Sequence, residues 1–497
     1  MDGHGRPGSG QVRGGVLRAL TGALRWPVAW AWCAASVAAA GQELPNIVII
    51  VPDDLGRYDV SMHGGDIATP HIDSIARDGV LLSRFYSAPV CSPTRTGIMT
   101  GRYPIHAGLM RSVVAPWRDY GLDTSEVLMP EVLERAGYEH RAIFGKWHLG
   151  HFKRRWHPLR RGFTEFVGFG FAVDYFTHER LGERDWSLGY EPLFEEGYAT
   201  DLLADRAVNF IGEHADDDAP FFRAPHTPTQ AKEEDLPLYD RLSAIEPPRS
   251  WEEATGHNPL MPLEERTTLR RVHAAMVHAL DVGIGRILDA LDAHGIADNT
   301  LLLFFSDNGG SVGIGDNGPF RGCKATVYEG GIRVAAAARY VSGGRDVTVP
   351  LAYIDVLPTL MRVAGIDDHG GKPLDGVDVL DVLTGKQDAL ERDLYSFVGR
   401  TEVRDQVAVS EGDWKLVVIG PHLTEEGAAE ASMRQLFRLD EDPLERHDVA
   451  ADHPDIVARL TEKAIAFRAL QPPNPVPLYS EGEGTFVPPP NWQFGVE

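Results

Sequence analysis

The alternation of apolar and polar positions divides the chain into regions of different texture. Two runs are apolar without alternation, Asn46–Val51 and Leu301–Phe305. Unbroken stretches of this kind predict strands buried on both faces. The first stops at Pro52-Asp53-Asp54-Leu55-Gly56 and the second at Ser306-Asp307-Asn308-Gly309-Gly310. Ahead of the second run, Leu269, Val272, Met276, Leu280, Ile284, Ile287 and Leu291 recur at three- and four-residue steps. That spacing predicts a long helix, closed by His294-Gly295. Helix, short turn and buried strand in this order predict a parallel α/β crossover. Beyond about residue 385 the pattern changes. Gln406–Val409 and Trp414–Ile419 read as strands around Glu411-Gly412-Asp413, Gln435–Leu439 as another strand, and His453–Leu470 as a helix. The tail from Pro472 is rich in Pro, Gly and Glu and predicts extended chain on the surface.

The fold class expected from this pattern is α/β, a large sheet flanked by helices with a smaller C-terminal antiparallel sheet plus helix. Residues 1–41 read as a secretory signal peptide. Arg18 and Arg25 precede the apolar run Trp26–Ala40, which ends in small residues before Gly41. That run is short for a transmembrane span, so a secreted or periplasmic protein without stable membrane insertion is expected. The remaining boundaries are a main domain over 42–385, an α+β subdomain over 386–471 and the tail over 472–497. With 72 acidic against 48 basic residues the net charge is −24, which argues against nucleic-acid binding. An anionic substrate would then need a local basic patch.

The two strand exits carry the candidate chemistry. Ligands of open parallel sheets bind outside the carboxyl ends of strands, so Asp53-Asp54 and Asp307-Asn308 are expected on one edge. Taken singly, each cluster is also an ordinary turn sequence. Their donors are all oxygen, which suits a hard cation such as Ca²⁺ or Mg²⁺ over zinc. In Cys91-Ser92-Pro93-Thr94-Arg95, Pro93 suits the first turn of a helix, with Cys91 just ahead of it and Gly101 ending it. Cys91 alone could be buried packing or a thiolate activated by a helix N-terminus. Arg95, one turn along, would face the same end and reach the oxygens of a nucleophile. Lys146 and His148, in Gly145-Lys146-Trp147-His148-Leu149-Gly150, would share a face of extended chain. His226 lies between Pro225 and Pro228, and Lys324 follows Arg321-Gly322-Cys323; protonated, either could serve an anion and a departing alcohol. Lys153, Arg154, Arg155, Arg160 and Arg161 form a candidate landing patch for an anionic polymer.

The pentapeptide followed by Thr100-Gly101-Arg102 is similar to the sulfatase signature, Cys-x-Pro-x-Arg with a Thr-Gly-Arg turn. Nearly the whole chain after the leader resembles the formylglycine-dependent sulfatases of the alkaline-phosphatase-like superfamily. Thr69-Pro70-His71-Ile72-Asp73, Asp174–Arg180 and Leu374-Asp375-Gly376 are similar to the arylsulfatase B (N-acetylgalactosamine-4-sulfatase) branch. The resemblance implies an alkaline-phosphatase-like mixed sheet and Ca²⁺ ligands at Asp53, Asp54, residue 91, Asp307 and Asn308. It implies catalytic or sulfate-binding roles at Arg95, Lys146, His148, His226 and Lys324. A maturation enzyme would oxidise Cys91 to formylglycine, whose hydrated aldehyde is the nucleophile. The implied substrates are a sulfated saccharide, such as 4-sulfated N-acetylgalactosamine, or an aryl sulfate. Alternatives are a phosphonate or phosphate ester hydrolase on the same scaffold, or a noncatalytic sulfated-glycan-binding protein. Two features depart from the family: only Cys91 and Cys323 follow the leader, and the segment Glu233–Pro262 has no counterpart.

Overall fold

The computed structural model describes residues 44–497 apart from 152, 216–220, 225–228, 246–261, 341–342, 402–403, 422, 424–431, 494 and 496–497. The expected signal peptide and His226 therefore lie outside the described residues. Asn46–Ile50 forms β1, buried along its whole length. Its side chains divide with a period of two: Ile47 and Ile49 enter one apolar core, Val48 and Ile50 the other. The later run does the same, with Leu301, Leu303 and Phe305 on one side and Leu302 and Phe304 on the other. Neither strand has a polar alternation because neither has a wet face.

With Ala142–Lys146 as β2, Phe221–Ala224 as β3 and Thr300–Phe305 as β4, the centre of the sheet reads β4-β1-β3-β2, all parallel. Glu165–Phe169 extends it in parallel beyond β2. Ala336–Arg339 runs antiparallel against β4 and makes the sheet mixed. Among the described residues ten strands join in this sheet.

Two helices complete the frame around the strand exits. Cys91–Thr100 is α1, buried at every residue. Leu263–Ala293 is α2, and it covers one sheet face with Ala274, Ile284, Ile287 and Leu291. It starts six residues before the first apolar step, because its exposed opening turn carries Glu264 and Glu265, which suit the positive end of the helix dipole. Asp281 of α2 accepts the backbone N–H groups of His71 (3.1 Å) and Ile72 (2.8 Å), donors that the helix Pro70–Asp78 leaves unpaired at its start.

The smaller sheet is antiparallel, four strands in chain order from Asp393–Thr401 to Met433–Arg438. The helix Pro454–Arg468 buries Leu460, Ala464 and Phe467, and the Phe467 ring lies 4.6 Å from Tyr395 and 5.2 Å from Tyr103. The large mixed sheet with helices and the C-terminal antiparallel sheet with its helix are the architecture expected from the sequence. The tail is tied down at several points: Trp117 Nε1 donates to the Tyr479 carbonyl (2.9 Å) and Trp492 Nε1 to that of Arg180 (3.0 Å). Among the described residues no helix is long and apolar enough to cross a membrane.

Candidate active site

Because β1 and β4 are parallel neighbours, their exits meet. Asp307 N–H donates to the Pro52 carbonyl (3.1 Å) and Asp54 N–H to Asp307 Oδ1 (3.3 Å). Asp54 takes a left-handed backbone, φ 59°, which Asp tolerates better than most residues. One ligand atom each from Asp53, Asp54, Cys91 and Asp307 lies within 4.8 Å of the others, and all four residues are buried. Asn308 Nδ2 donates to Asp54 Oδ1 (2.9 Å) and the Gly309 carbonyl (3.0 Å), while its Oδ1 is buried with no hydrogen-bond partner. An unmatched buried oxygen costs about 1–3 kcal/mol. Crowded carboxylates, a neutral oxygen without a donor and no nitrogen ligand in the group fit a hard divalent cation.

The pentapeptide is bound into this cluster residue by residue. α1 opens at Cys91 itself, one position earlier than the sequence suggests. Ser92 Oγ donates to the His148 carbonyl (2.9 Å) and accepts from Val114 N–H (3.0 Å). Thr94 Oγ1 donates to the Asp307 carbonyl (2.6 Å). Arg95 donates to the Lys146 carbonyl (2.8 Å), Asp53 (3.0 Å) and Asp307 (3.2 Å). Its guanidinium thus grips the carboxylates while lying close enough to Cys91 to interact with it electrostatically. At the far end Gly101 is left-handed (φ 64°), a helix stop that glycine makes without strain. Its carbonyl accepts from Asp375 and Gly376, which explains Leu374-Asp375-Gly376 as a clasp.

Lys146 Nζ sits 2.7 Å from Asp53 Oδ2, both side chains fully buried. Lys324 Nζ donates to Asp54 Oδ1. His148 is not on plain extended chain: its φ is 62°, so sharing a face with Lys146 by simple alternation does not apply. Its buried ring lies 4.6 Å from Phe171. A cavity of about 650 Å³ opens onto Cys91, His148 and Lys324, with Phe171 and Tyr479 among its walls. The basic run is mostly tied into the fold. Arg161 is buried against Glu126 and Glu131, Lys153 pairs with Asp119, and Arg154 and Arg155 lie over Tyr190 and Trp156.

Burial, reinforced by Asp53, pushes the Asp307 carboxyl well above the usual range despite Arg95 and Lys146. Burial and the carboxylates of Asp307 and Asp53 likewise push the Cys91 thiol well up, which opposes a thiolate nucleophile. Burial works against the charge of Lys324, yet Asp54, Cys91 and Asp53 hold it well above the ordinary lysine range. Ser92, Thr94 and Ser311 (Oγ 3.1 Å from Asp54 Oδ2) were not singled out from the sequence, although two of them stand inside the pentapeptide. Phe171 and Tyr479 carry no local signal at all.

Residues 45–366 match the Sulfatase family model. Over 411 residues the chain is 31% identical to N-acetylgalactosamine-6-sulfatase of Mus musculus, covering 76% of this chain and 73% of that one. Over 489 residues it is 28% identical to arylsulfatase J of Mus musculus, with coverages of 87% and 77%. The crystal structure of Ps i-CgsB in complex with k-i-k-neocarrahexaose superposes with a TM-score of 0.75 at 27% identity, covering 89% of this chain and 96% of that one. A match that spans both strand exits and the pentapeptide leaves one conclusion: the chain belongs to the sulfatase family, the enzymes that hydrolyse sulfuric esters. The family implies a bound metal ion and a cysteine-derived formylglycine. These relatives carry different substrate names, so the assignment stops at the family and does not reach the arylsulfatase B branch.

Proposed function

We propose that the protein removes sulfate from a saccharide, with Cys91 converted to formylglycine and Ca²⁺ held by Asp53, Asp54, residue 91, Asp307 and Asn308. The observation that carries this reading is the presence of Cys91 Sγ in the same 4.8 Å group as three carboxylates. Once bound, the cation supplies Lewis-acid polarisation of a sulfate oxygen. The hydrated aldehyde at residue 91 supplies the attacking oxygen.

The remaining work falls to side chains of this chain. Arg95, Lys146 and Lys324 pair with Asp53, Asp54 and Asp307, three charges against three. The two positive charges of a bound Ca²⁺ would make the pocket cationic, which suits a sulfate ester approaching a protein of net charge −24. Lys146 and Lys324 bind the ester oxygens. Arg95 is a positioning residue that fixes Asp53 and Asp307. His148, on the same cavity, moves a proton at residue 91, and His226 donates one to the departing alcohol. Orientation and charge stabilisation do most of the catalysis.

Resemblance favours 4-sulfated N-acetylgalactosamine, one relative is named for the 6-sulfatase activity, and another was crystallised with k-i-k-neocarrahexaose. Export through the leader and a formylglycine-generating partner complete the proposal. The test is sulfate release by the matured protein from 4- and 6-sulfated N-acetylgalactosamine saccharides and from matched phosphate esters, with peptide mass spectrometry of residue 91. Release from the 4-sulfated saccharide is expected. Faster phosphate than sulfate hydrolysis, or turnover with an unmodified thiol, would overturn the reading.

A further inference from the structure

We propose that Arg111 receives a second anionic group of the substrate, a carboxylate or sulfate beside the ester that is cleaved. The inference rests on the sulfatase reading and extends it to the substrate class. Arg111 lines the same cavity as Cys91, His148 and Lys324. Lys324 is engaged with Asp54, but Arg111 is not engaged with anything acidic: among the described residues its guanidinium has no ion pair, and its Nε is buried without a hydrogen-bond partner. Val90, Val113, Val398, Phe171, Leu478 and Tyr479 supply the apolar wall, and among the described residues no acidic side chain lines the space. Arg111 is half-buried at the edge of this cavity, and a guanidinium there with no acidic partner is open to an anion. The planar guanidinium fork matches carboxylate and sulfate oxygens in pairs.

The side chain is held there by a missing one. Gly399, in the first strand of the smaller sheet, donates its N–H to the Arg111 carbonyl (2.9 Å). A Cβ at Gly399 would stand 2.6 Å from Arg111 Cγ and 3.1 Å from Nε. The stem of Arg111 therefore occupies the space a side chain at 399 would need. The smaller sheet helps to build the pocket through that glycine and through Val398. Because the scissile sulfate is assigned to Lys146, Lys324 and residue 91, Arg111 remains for a neighbouring charge. A uronate and a second sulfate ester offer the same chemistry.

The experiment compares kcat/KM of matured enzyme on four substrates: an aryl monosulfate, a monosulfated neutral saccharide, the same saccharide carrying a uronate, and the same saccharide carrying a second sulfate. The wild type is expected to prefer one or both dianionic saccharides over the monosulfated one. In Arg111→Ala that ratio falls roughly ten- to hundredfold, mainly through KM. Arg111→Lys recovers part of it, and Gly399→Ala lowers it with Arg111 still present. Whichever dianionic substrate loses its advantage identifies the group bound. An unchanged ratio in Arg111→Ala, or an equal loss on all four substrates, overturns the proposal. Failure of formylglycine-bearing wild type to cleave any of the four overturns the sulfatase reading instead.

Discussion

The loop that leaves β1 carries two buried acidic sites that are built in opposite ways. Asp59 is closed: it accepts from Gly56 N–H (2.7 Å), Asp316 N–H (2.9 Å), His273 Nε2 (2.9 Å) and Arg270. Burial alone would raise its pKa, but the charges of His273 and Arg270 outweigh that and hold it below the usual value. Asp53, Asp54 and Asp307 are crowded against one another, Asp307 is pushed up, and Asn308 Oδ1 has no donor. A buried acid is therefore not a site in itself. A complete set of donors marks a structural acid, and crowded carboxylates beside an amide oxygen left without a donor mark a place for a cation.

The harshest test of this contrast is Cys91→Ala. Sulfate release should fall by at least about a thousandfold, since the remaining groups can orient an ester but cannot attack it. The folded state should survive, because one small buried group is lost. Turnover persisting in this variant would move the nucleophile out of the cluster. Next in size is Asp59→Ala, which leaves His273 buried without its carboxylate partner and Arg270 with Asp66 alone. Such removals cost about 3–5 kcal/mol, readable from denaturant unfolding, and a loss under about 1 kcal/mol would dissolve the distinction between the two kinds of acid. The acid contribution has a sign. With its folded pKa depressed, Asp59 stabilises the protein above its unfolded value of 3.8 and loses that stabilisation as the pH falls below it.

Cation binding gives a somewhat smaller effect. Ca²⁺ at a hundredfold excess over its Kd should add about 3 kcal/mol of stability, seen as a rise in Tm that a chelator reverses. The increment should disappear in Asp307→Ala and remain in Asp59→Asn. Loss of the increment in both variants would show that the two acids act as one unit.

Why one acid was legible in the sequence and the other was not comes down to the same contrast. Asp53 and Asp307 each end an unbroken apolar run, so strand, exit and edge could be read locally. Asp59 draws its partners from 211 and 214 residues away, and nothing near it announces them. The pentapeptide marked Cys91 and Arg95, but the direction of Arg95 depends on carboxylates brought in by two different strands. His148 was misread for a local reason, since alternation assumes extended backbone and its φ is positive. The placement of Tyr479 against the cavity, and of Arg111 over Gly399, requires the tail and the smaller sheet to be in position first. No window of sequence contains that information.

A third buried cluster lies between the two extremes and yields the subtlest measurement. Lys415 Nζ stands 2.8 Å from both Glu329 and Glu445, and all three side chains are fully buried. Glu329 has further support from the Tyr86 hydroxyl (3.0 Å) and Arg333 (3.5 Å). Among the described residues the Glu445 carboxylate has only the lysine and the Glu329 N–H (2.7 Å). Glu445 shares its lysine with Glu329, so burial, only partly offset by Lys415, leaves Glu445 with a pKa raised to about 7. Between its unfolded value of 4.5 and about 7, the folded protein holds a proton that the unfolded chain has released. Stability must therefore fall as the pH rises through that window and level off above it. Glu445→Gln keeps an acceptor for the Glu329 N–H and removes the titration. Its unfolding free energy should decline less than that of the wild type between pH 5 and 8, by about 2–3 kcal/mol across the window. Parallel profiles for the two proteins would mean that Glu445 is already charged at neutral pH, and that a single lysine closes the cluster as fully as Arg270 and His273 close Asp59.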